Sequence, residues 1–331
     1  MSILPVFLLA GALAATAQEQ QFAEIKAFRL QSGQTLPSVK LGYRTVGTLN
    51  ATRSNAVLFP TWFGGNSQSL LQYAAKDKLV DPAKHFVVLI DALGNGVSTS
   101  PSNTPQLPVF NIRDMVESEY RLASEVLGIR KLHAVIGISM GGMQSFEWAV
   151  AHPEYASRIV PIIGSPKQST PDLLLWQAQL SAIETAVANG IDPRAIMPAV
   201  QAMHNFALRT PEYAADEQPA ADFPKLKESF VKSARTGVHP LDWASQLRAM
   251  MAQDIGHGES LEKAAARVTA KMLIVVATQD HMVNPKTALA FARIGGHATL
   301  ELTGNCGHMA LGCEQARLSS IVRNFLERDS I

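Results

Sequence analysis

The stretch HAVIGISMGGMQ, residues 133–144, decides the fold. Its first four residues, 133–136, are predicted as a buried strand, and a helix is predicted to follow over Met140–Ala151. Between them Gly137-Ile138-Ser139-Met140-Gly141 matches the pattern G-x-S-x-G. Because a strand runs directly into the motif and a helix directly out of it, we expect a tight turn that lifts Ser139 above a sheet. Gly137 and Gly141, two residues before and two after the serine, are small enough for such a turn to close.

Short apolar runs alternate with helical segments along the rest of the chain, which is typical of a parallel sheet covered on both faces. The predicted strands span 22–30, 39–48, 56–59, 85–90, 133–136, 159–163, 272–277 and 299–302. Further helices are predicted over 67–76 and 114–127, the second with Asp114 as its N-cap. From about Pro166 to Gly258 strand-like runs vanish and helical periodicity is broken only by prolines, which indicates an inserted helical cap.

These patterns together predict an α/β-hydrolase fold, with a mostly parallel sheet, helices on both faces and an inserted helical cap. The first part of the core is expected at 18–165, the cap at 166–258 and the second part of the core at 259–331.

An acid and a base are predicted to complete a catalytic triad with Ser139. Asp280 lies just beyond the strand at 272–277, and His308 lies beyond the last strand, in Gly304-Asn305-Cys306-Gly307-His308. The order Ser, Asp, His is the order that this fold uses. His281 and His297 are interpreted as surface residues. In this hypothesis His308 takes the proton of Ser139, Asp280 orients the imidazole, and an acyl-enzyme forms on the serine.

Two backbone N–H groups are predicted to form the oxyanion hole. Met140 follows the nucleophile at a helix N-terminus, where its N–H can stabilise negative charge. The second donor is expected in the loop after the strand at 56–59, and we assign it to Trp62.

Composition and charge exclude several other classes of protein. With 47% apolar and 17% charged residues among 331, the chain can bury a substantial core. A formal net charge of +1 with no basic run argues against a nucleic-acid partner. Gly94-Asn95-Gly96 is interpreted as a turn and not as a nucleotide loop. We therefore expect no cofactor.

The first seventeen residues, MSILPVFLLAGALAATA, resemble a signal peptide. Their apolar run is shorter than the about 20 residues that span a bilayer, and Ala15-Thr16-Ala17 has the small-x-small pattern of a cleavage site. This predicts a periplasmic or secreted protein, cleaved after Ala17, with no stable membrane anchor. No Lys or Arg precedes Lys26, so a buried N-terminal helix remains the alternative.

The only two cysteines, Cys306 and Cys313, bracket His308. In an oxidising compartment they could form a disulfide that holds the histidine loop in place, and the alternative is a pair of small buried thiols. A metal site is not expected, because the paired ligands usual for zinc are missing here.

The chain resembles the homoserine O-acetyltransferase family of α/β-hydrolases. The resemblance depends on Asn111-Ile112-Arg113-Asp114-Met115, on Gly137 to Gln144, on Glu147-Trp148-Ala149 and on His152-Pro153-Glu154. It implies the triad named above, a helical cap and a homodimer through cap helices.

Two departures from that family concern the substrate. Leu180 stands where the family has an arginine that binds the amino acid carboxylate, and Met309 replaces the aspartate that holds the substrate amine. A buried site without these charged partners disfavours a charged ligand. With Phe63, these residues predict an apolar pocket for small neutral esters with a short, acetyl-type acyl group.

The sequence thus favours a serine carboxylic-ester hydrolase. An O-acyltransferase with a different acceptor alcohol is the first alternative, and a binding module with a silent triad is the second.

Overall fold

The computed structural model describes residues 19–328, which contain eight strands in one sheet. The strands are β1 (Gln21–Arg29), β2 (Thr35–Val46), β3 (Ala56–Pro60), β4 (Phe86–Ile90), β5 (Leu132–Ile138), β6 (Ala156–Ile162), β7 (Lys271–Ala277) and β8 (Ala298–Leu302). Their order across the sheet is β1-β2-β4-β3-β5-β6-β7-β8. β2 runs in the opposite direction to the other seven strands, so its pairings with β1 and β4 are antiparallel. All pairings from β4 to β8 are parallel. The mostly parallel sheet is therefore present as predicted.

Twelve helices accompany the sheet in the described part of the chain. They are α1 (Ser67–Leu70), α2 (Ile112–Arg121), α3 (Met140–Ala151), α4 (Thr170–Ala188), α5 (Met197–Leu208), α6 (Pro211–Glu217), α7 (Phe223–Thr236), α8 (Pro240–Met251), α9 (Leu261–Ala266), α10 (Lys286–Gly295), α11 (Ala310–Cys313) and α12 (Gln315–Arg328). None of the helices within residues 19–328 has the length and apolar character needed to cross a membrane.

Both faces of the central strands are buried, because successive side chains of a strand point to opposite faces. On β3, Leu58 belongs to an apolar core that includes Met143 of α3. The next residue, Phe59, belongs to a second core on the other face, which includes Val322 of α12. This double burial explains why the central strands appear in the sequence as continuous apolar runs.

The chain leaves the sheet after β6 and returns at β7. The helices α4 to α8 lie between these strands, inside the range 166–258 predicted for the cap. The exact limits of the cap stay a prediction. The predicted signal peptide, residues 1–17, lies outside the described residues.

The structure departs from three predicted local features. Asn111, and not Asp114, is the N-cap of α2: its side chain accepts from the N–H of Asp114, while the Asp114 carboxylate accepts from the N–H of Asn111. The helix predicted over 67–76 ends at Leu70, followed by a 3₁₀ turn. His297, expected at the surface, is only partly exposed, and burial lowers the pKa of its imidazole.

Candidate active site

Ser139 lies on the sharp turn between β5 and α3. Its backbone has φ 57° and ψ −118°, a strained conformation for a residue with a side chain. A Cβ on Gly137 would lie 1.9 Å from the carbonyl oxygen of Gly141, and one on Gly141 would lie 2.7 Å from the carbonyl oxygen of Pro60. Both glycines are therefore required for the turn to close.

The structure brings together the three side chains predicted as a triad. Nδ1 of His308 lies 2.7 Å from Oδ2 of Asp280, and Nε2 lies 3.0 Å from Oγ of Ser139. A carboxylate only accepts, so Nδ1 donates to Asp280 and Nε2 is left to accept the proton of Ser139. All three residues are buried. This is the hydrogen-bond order that a serine nucleophile, a base and an orienting acid require.

Each partner of the serine is held by its own loop. After β7, the Oδ1 atom of Asp280 accepts from the backbone N–H groups of Met282 and Val283, at 2.8 and 2.9 Å. After β8, a disulfide joins Cys306 to Cys313 and encloses the segment that carries His308. The structure thus decides between the two alternatives left open for the cysteines.

Of the two predicted oxyanion donors, Met140 lies at the start of α3 and Trp62 lies in the loop after β3. Met140 is the first residue of α3, so its N–H has no partner inside the helix. Within residues 19–328, the N–H of Trp62 donates to no acceptor either. The buried amide of Gln144, on α3, donates to the carbonyl oxygens of Thr61 and Met140, at 3.0 and 3.1 Å. It thereby connects the loop after β3 to the start of α3.

A cavity of about 400 Å³ opens beside Ser139 and His308. Phe63 and Met309 line it, as predicted from the sequence. Leu180 does not: it is buried in the apolar core, and Trp176, one turn earlier on α4, lines the cavity instead. The assignment of Leu180 to the pocket is therefore corrected to Trp176.

The cavity wall carries no formal charge other than what its histidines can acquire. None of the described residues that line it is Asp, Glu, Lys or Arg. His204 of α5 lies in this wall, and burial, with a smaller contribution from His308, lowers the pKa of its imidazole to about 3. His204 is therefore neutral at physiological pH.

Several residues that shape the site escaped prediction because their contacts are distant in sequence. Gln246 of α8 accepts from the N–H of Gly64 at 2.8 Å and fixes the glycine loop after β3. Trp176, His204 and Tyr73 line the cavity from three separate segments. Only Gln144 had a local signal, since it belongs to the quoted motif stretch. Within the described residues, no cluster of three or more His, Cys, Asp or Glu could hold a metal ion.

The alpha/beta hydrolase fold family matches residues 55–312 of the chain, which is most of its length. Among curated relatives, a probable esterase of Corynebacterium glutamicum is 38% identical over 170 residues. That alignment covers 49% of this chain and 49% of the relative, so the chain spans about half the length of that protein.

Two longer alignments extend the comparison. An ethyl acetate hydrolase of Pseudomonas veronii is 29% identical over 76% of this chain and 78% of the relative. A homoserine O-acetyltransferase of Leifsonia xyli is 27% identical over 87% of this chain and 85% of the relative. The solved structure of an acetylester hydrolase from Corynebacterium glutamicum superposes with a TM-score of 0.86 and 25% identity, covering 93% of this chain and 96% of that one. The resemblance to the homoserine O-acetyltransferase family is confirmed, and its relatives include both esterases and acetyltransferases.

Proposed function

The chain belongs to the α/β-hydrolase family, and within it we propose that this enzyme is a serine carboxylic-ester hydrolase for small, uncharged esters with a short acyl group. The observation that carries the proposal is the hydrogen-bonded series Ser139, His308 and Asp280 beside an uncharged apolar cavity. Esterases among the relatives support ester hydrolysis.

The chemistry begins with proton transfer. Nε2 of His308 takes the proton of Ser139 as Oγ forms a bond to the ester carbonyl carbon. The N–H groups of Met140 and Trp62 stabilise the resulting oxyanion. When the carbon–oxygen bond to the alcohol breaks, the leaving alkoxide receives the proton from His308. Water then repeats the sequence on the acyl-enzyme and releases the acid and the free serine.

The lack of charged groups in the cavity wall supports an uncharged substrate. A zwitterion such as an amino acid would lose its hydration there without gaining an ionic partner, at a cost of several kcal/mol. Met309 and Trp176 supply apolar surface to the cavity wall, whereas Leu180 lies outside the cavity. This favours water over homoserine as the acceptor of the acyl group.

The short acyl group is supported by the relatives, whose names specify ethyl acetate and acetyl esters. Residues 1–17 favour a periplasmic or secreted enzyme, which would act on small-molecule esters away from cytosolic acyl donors. The second candidate is O-acyl transfer to a neutral alcohol, which the likeness to a homoserine O-acetyltransferase over 87% of the chain favours.

One assay separates the two candidates. The enzyme is given 4-nitrophenyl acetate with and without homoserine or a neutral alcohol, and the acetyl products are quantified by mass spectrometry. We expect free acetate at the same rate in every case. Acetylated homoserine or acetylated alcohol as the main product would contradict hydrolysis.

The nucleophile is tested by Ser139→Ala, which should lower kcat on the order of 10⁴-fold or more, because the bond-forming oxygen is lost. A fluorophosphonate should label the wild-type protein and not this variant. Ser145→Ala is the matched control, since that buried serine lies on α3, directly after the turn, and donates to the carbonyl oxygen of Gly141. Absence of labelling in the wild type would indicate a silent triad instead.

A further inference from the structure

Two cavities share a wall that belongs to the cap. The first is the cavity of about 400 Å³ at Ser139, and the second is a crevice of about 390 Å³ between α5 and α7. His204 and Leu208, one turn apart on α5, line both. The crevice reaches the surface, since Ser229 and Gly237 in its lining are exposed. The side chains of His204 and Leu208 therefore separate the cavity at Ser139 from the solvent-accessible crevice.

The imidazole of His204 is positioned by packing against aromatic rings. It stacks on Phe63 at 5.3 Å between ring centroids and meets Trp243 edge-on at 5.0 Å. Phe63 and Trp243 also contact one another at 4.8 Å, which completes a three-ring cluster. Aromatic contacts of this kind stabilise one ring orientation without any hydrogen bond.

One ring nitrogen of His204 makes no structural hydrogen bond within residues 19–328. Its Nδ1 atom is buried and, among the described residues, has no hydrogen-bond partner. Because the imidazole is also neutral, it makes no ion pair in this wall. A neutral ring whose buried nitrogen makes no hydrogen bond acts in this wall through its volume.

We propose that His204 and Leu208 form a wall that determines specificity, because it limits the length of the acyl chain accepted at Ser139. The inference rests on the proposed ester hydrolysis. A chain that outgrows the first cavity meets the His204 ring, and removal of the ring joins the cavity to the crevice behind it. The wall thus selects short esters by size.

The first test compares kcat/KM for 4-nitrophenyl octanoate with that for the acetate. We expect the octanoate-to-acetate ratio to rise at least about tenfold in His204→Ala, since each newly buried methylene group raises affinity about fourfold. His204→Phe retains a ring of similar size and should keep the wild-type ratio. Asn205→Ala is the matched control on the same helix, because Asn205 lines only the outer crevice. An unchanged ratio in His204→Ala, or an equal change in His204→Phe, would overturn the wall.

A second test needs no turnover. Linear 1-alkanols from butanol to octanol are titrated into each protein, and the fluorescence of Trp62 and Trp176 in the cavity wall reports binding. Octanol should bind at least about tenfold more tightly to His204→Ala than to the wild type, with butanol little changed. Equal octanol affinity would refute the wall even if no ester is hydrolysed, and tighter binding would support it even then. Should His204→Ala not fold, Leu208→Ala opens the same wall and is judged by the same two ratios.

Discussion

At the scale of single residues, Gly137 shows why the turn at Ser139 leaves no room for a larger side chain. Its neighbour in space is the carbonyl oxygen of Gly141, a backbone atom that cannot rotate away as a side chain would. The Ser139 N–H is at the same time bonded to the carbonyl oxygen of Ile162 on β6, at 2.9 Å. The turn is thus held between a rigid sheet and a rigid helix.

Gly137→Ala should destabilise the protein by about 2 kcal/mol or more and abolish ester hydrolysis, because the added methyl group must displace backbone. The urea midpoint and the turnover of 4-nitrophenyl acetate measure the two effects. Gly312→Ala is the control, since nothing lies within 4 Å of a Cβ placed there. A Gly137→Ala protein with wild-type stability and turnover would contradict the packing described for this turn.

At the scale of elements, the disulfide segment 306–313 carries both the proposed base, His308, and part of the cavity wall. Its residues in that wall include Met309 and Leu311. The cap supports it from above, where Thr210 donates to the carbonyl oxygen of Asn305 at 2.6 Å. Because Cys313 is exposed, a reductant can reach the bond.

Reduction of the disulfide should therefore lower both stability and activity. Closing so short a loop contributes on the order of 2 kcal/mol, and a freed segment would misplace His308 relative to Ser139. Unfolding by urea and turnover are measured for the wild type with and without dithiothreitol. The double variant Cys306→Ala, Cys313→Ala should reproduce the reduced protein and ignore the reductant. Unchanged turnover after thiol titration has verified reduction would show that the bond does not position the base.

At the scale of the whole molecule, a buried carboxyl group couples folding to pH. Glu119 of α2 is fully buried against α3, where one oxygen accepts from the indole N–H of Trp148 at 2.7 Å. The other oxygen has no partner among the described residues. Burial raises the pKa of this carboxyl to about 8. Between its unfolded pKa and about 8, the folded state therefore holds a proton that the unfolded state releases.

The contribution of Glu119 to the free energy of unfolding is fully present below its unfolded pKa. It is lost as pH rises through the folded pKa of about 8. Its share of the slope is at most about 1.4 kcal/mol per pH unit. We expect Glu119→Gln, which mimics the protonated acid, to lose less stability between pH 5.5 and 8.5 than the wild type, as measured by urea unfolding. The exposed Glu228→Gln should keep the wild-type slope. Parallel curves for wild type and Glu119→Gln would mean that Glu119 does not govern this window.

The sequence by itself determined the features that depend on neighbours along the chain. Apolar runs, doubly buried in β3 to β7, predicted those strands, and the glycines around Ser139 predicted its turn. The positions of Asp280 and His308 after late strands placed both at the edge of the sheet where Ser139 lies. Each signal is local because side-chain direction in a strand and closure of a turn are set by adjacent residues.

Only the tertiary structure decided what surrounds the three residues. Trp176 instead of Leu180 lines the cavity, because the packing of α4 on the core decides which of these two residues, one turn apart, reaches the site. Gln246 contacts Gly64, and His204 packs against Phe63 and Trp243, across long separations in sequence. Such contacts come from the packing of the cap on the core. The free energy of this packing depends on shape complementarity in three dimensions, so it produces no periodic pattern in the sequence.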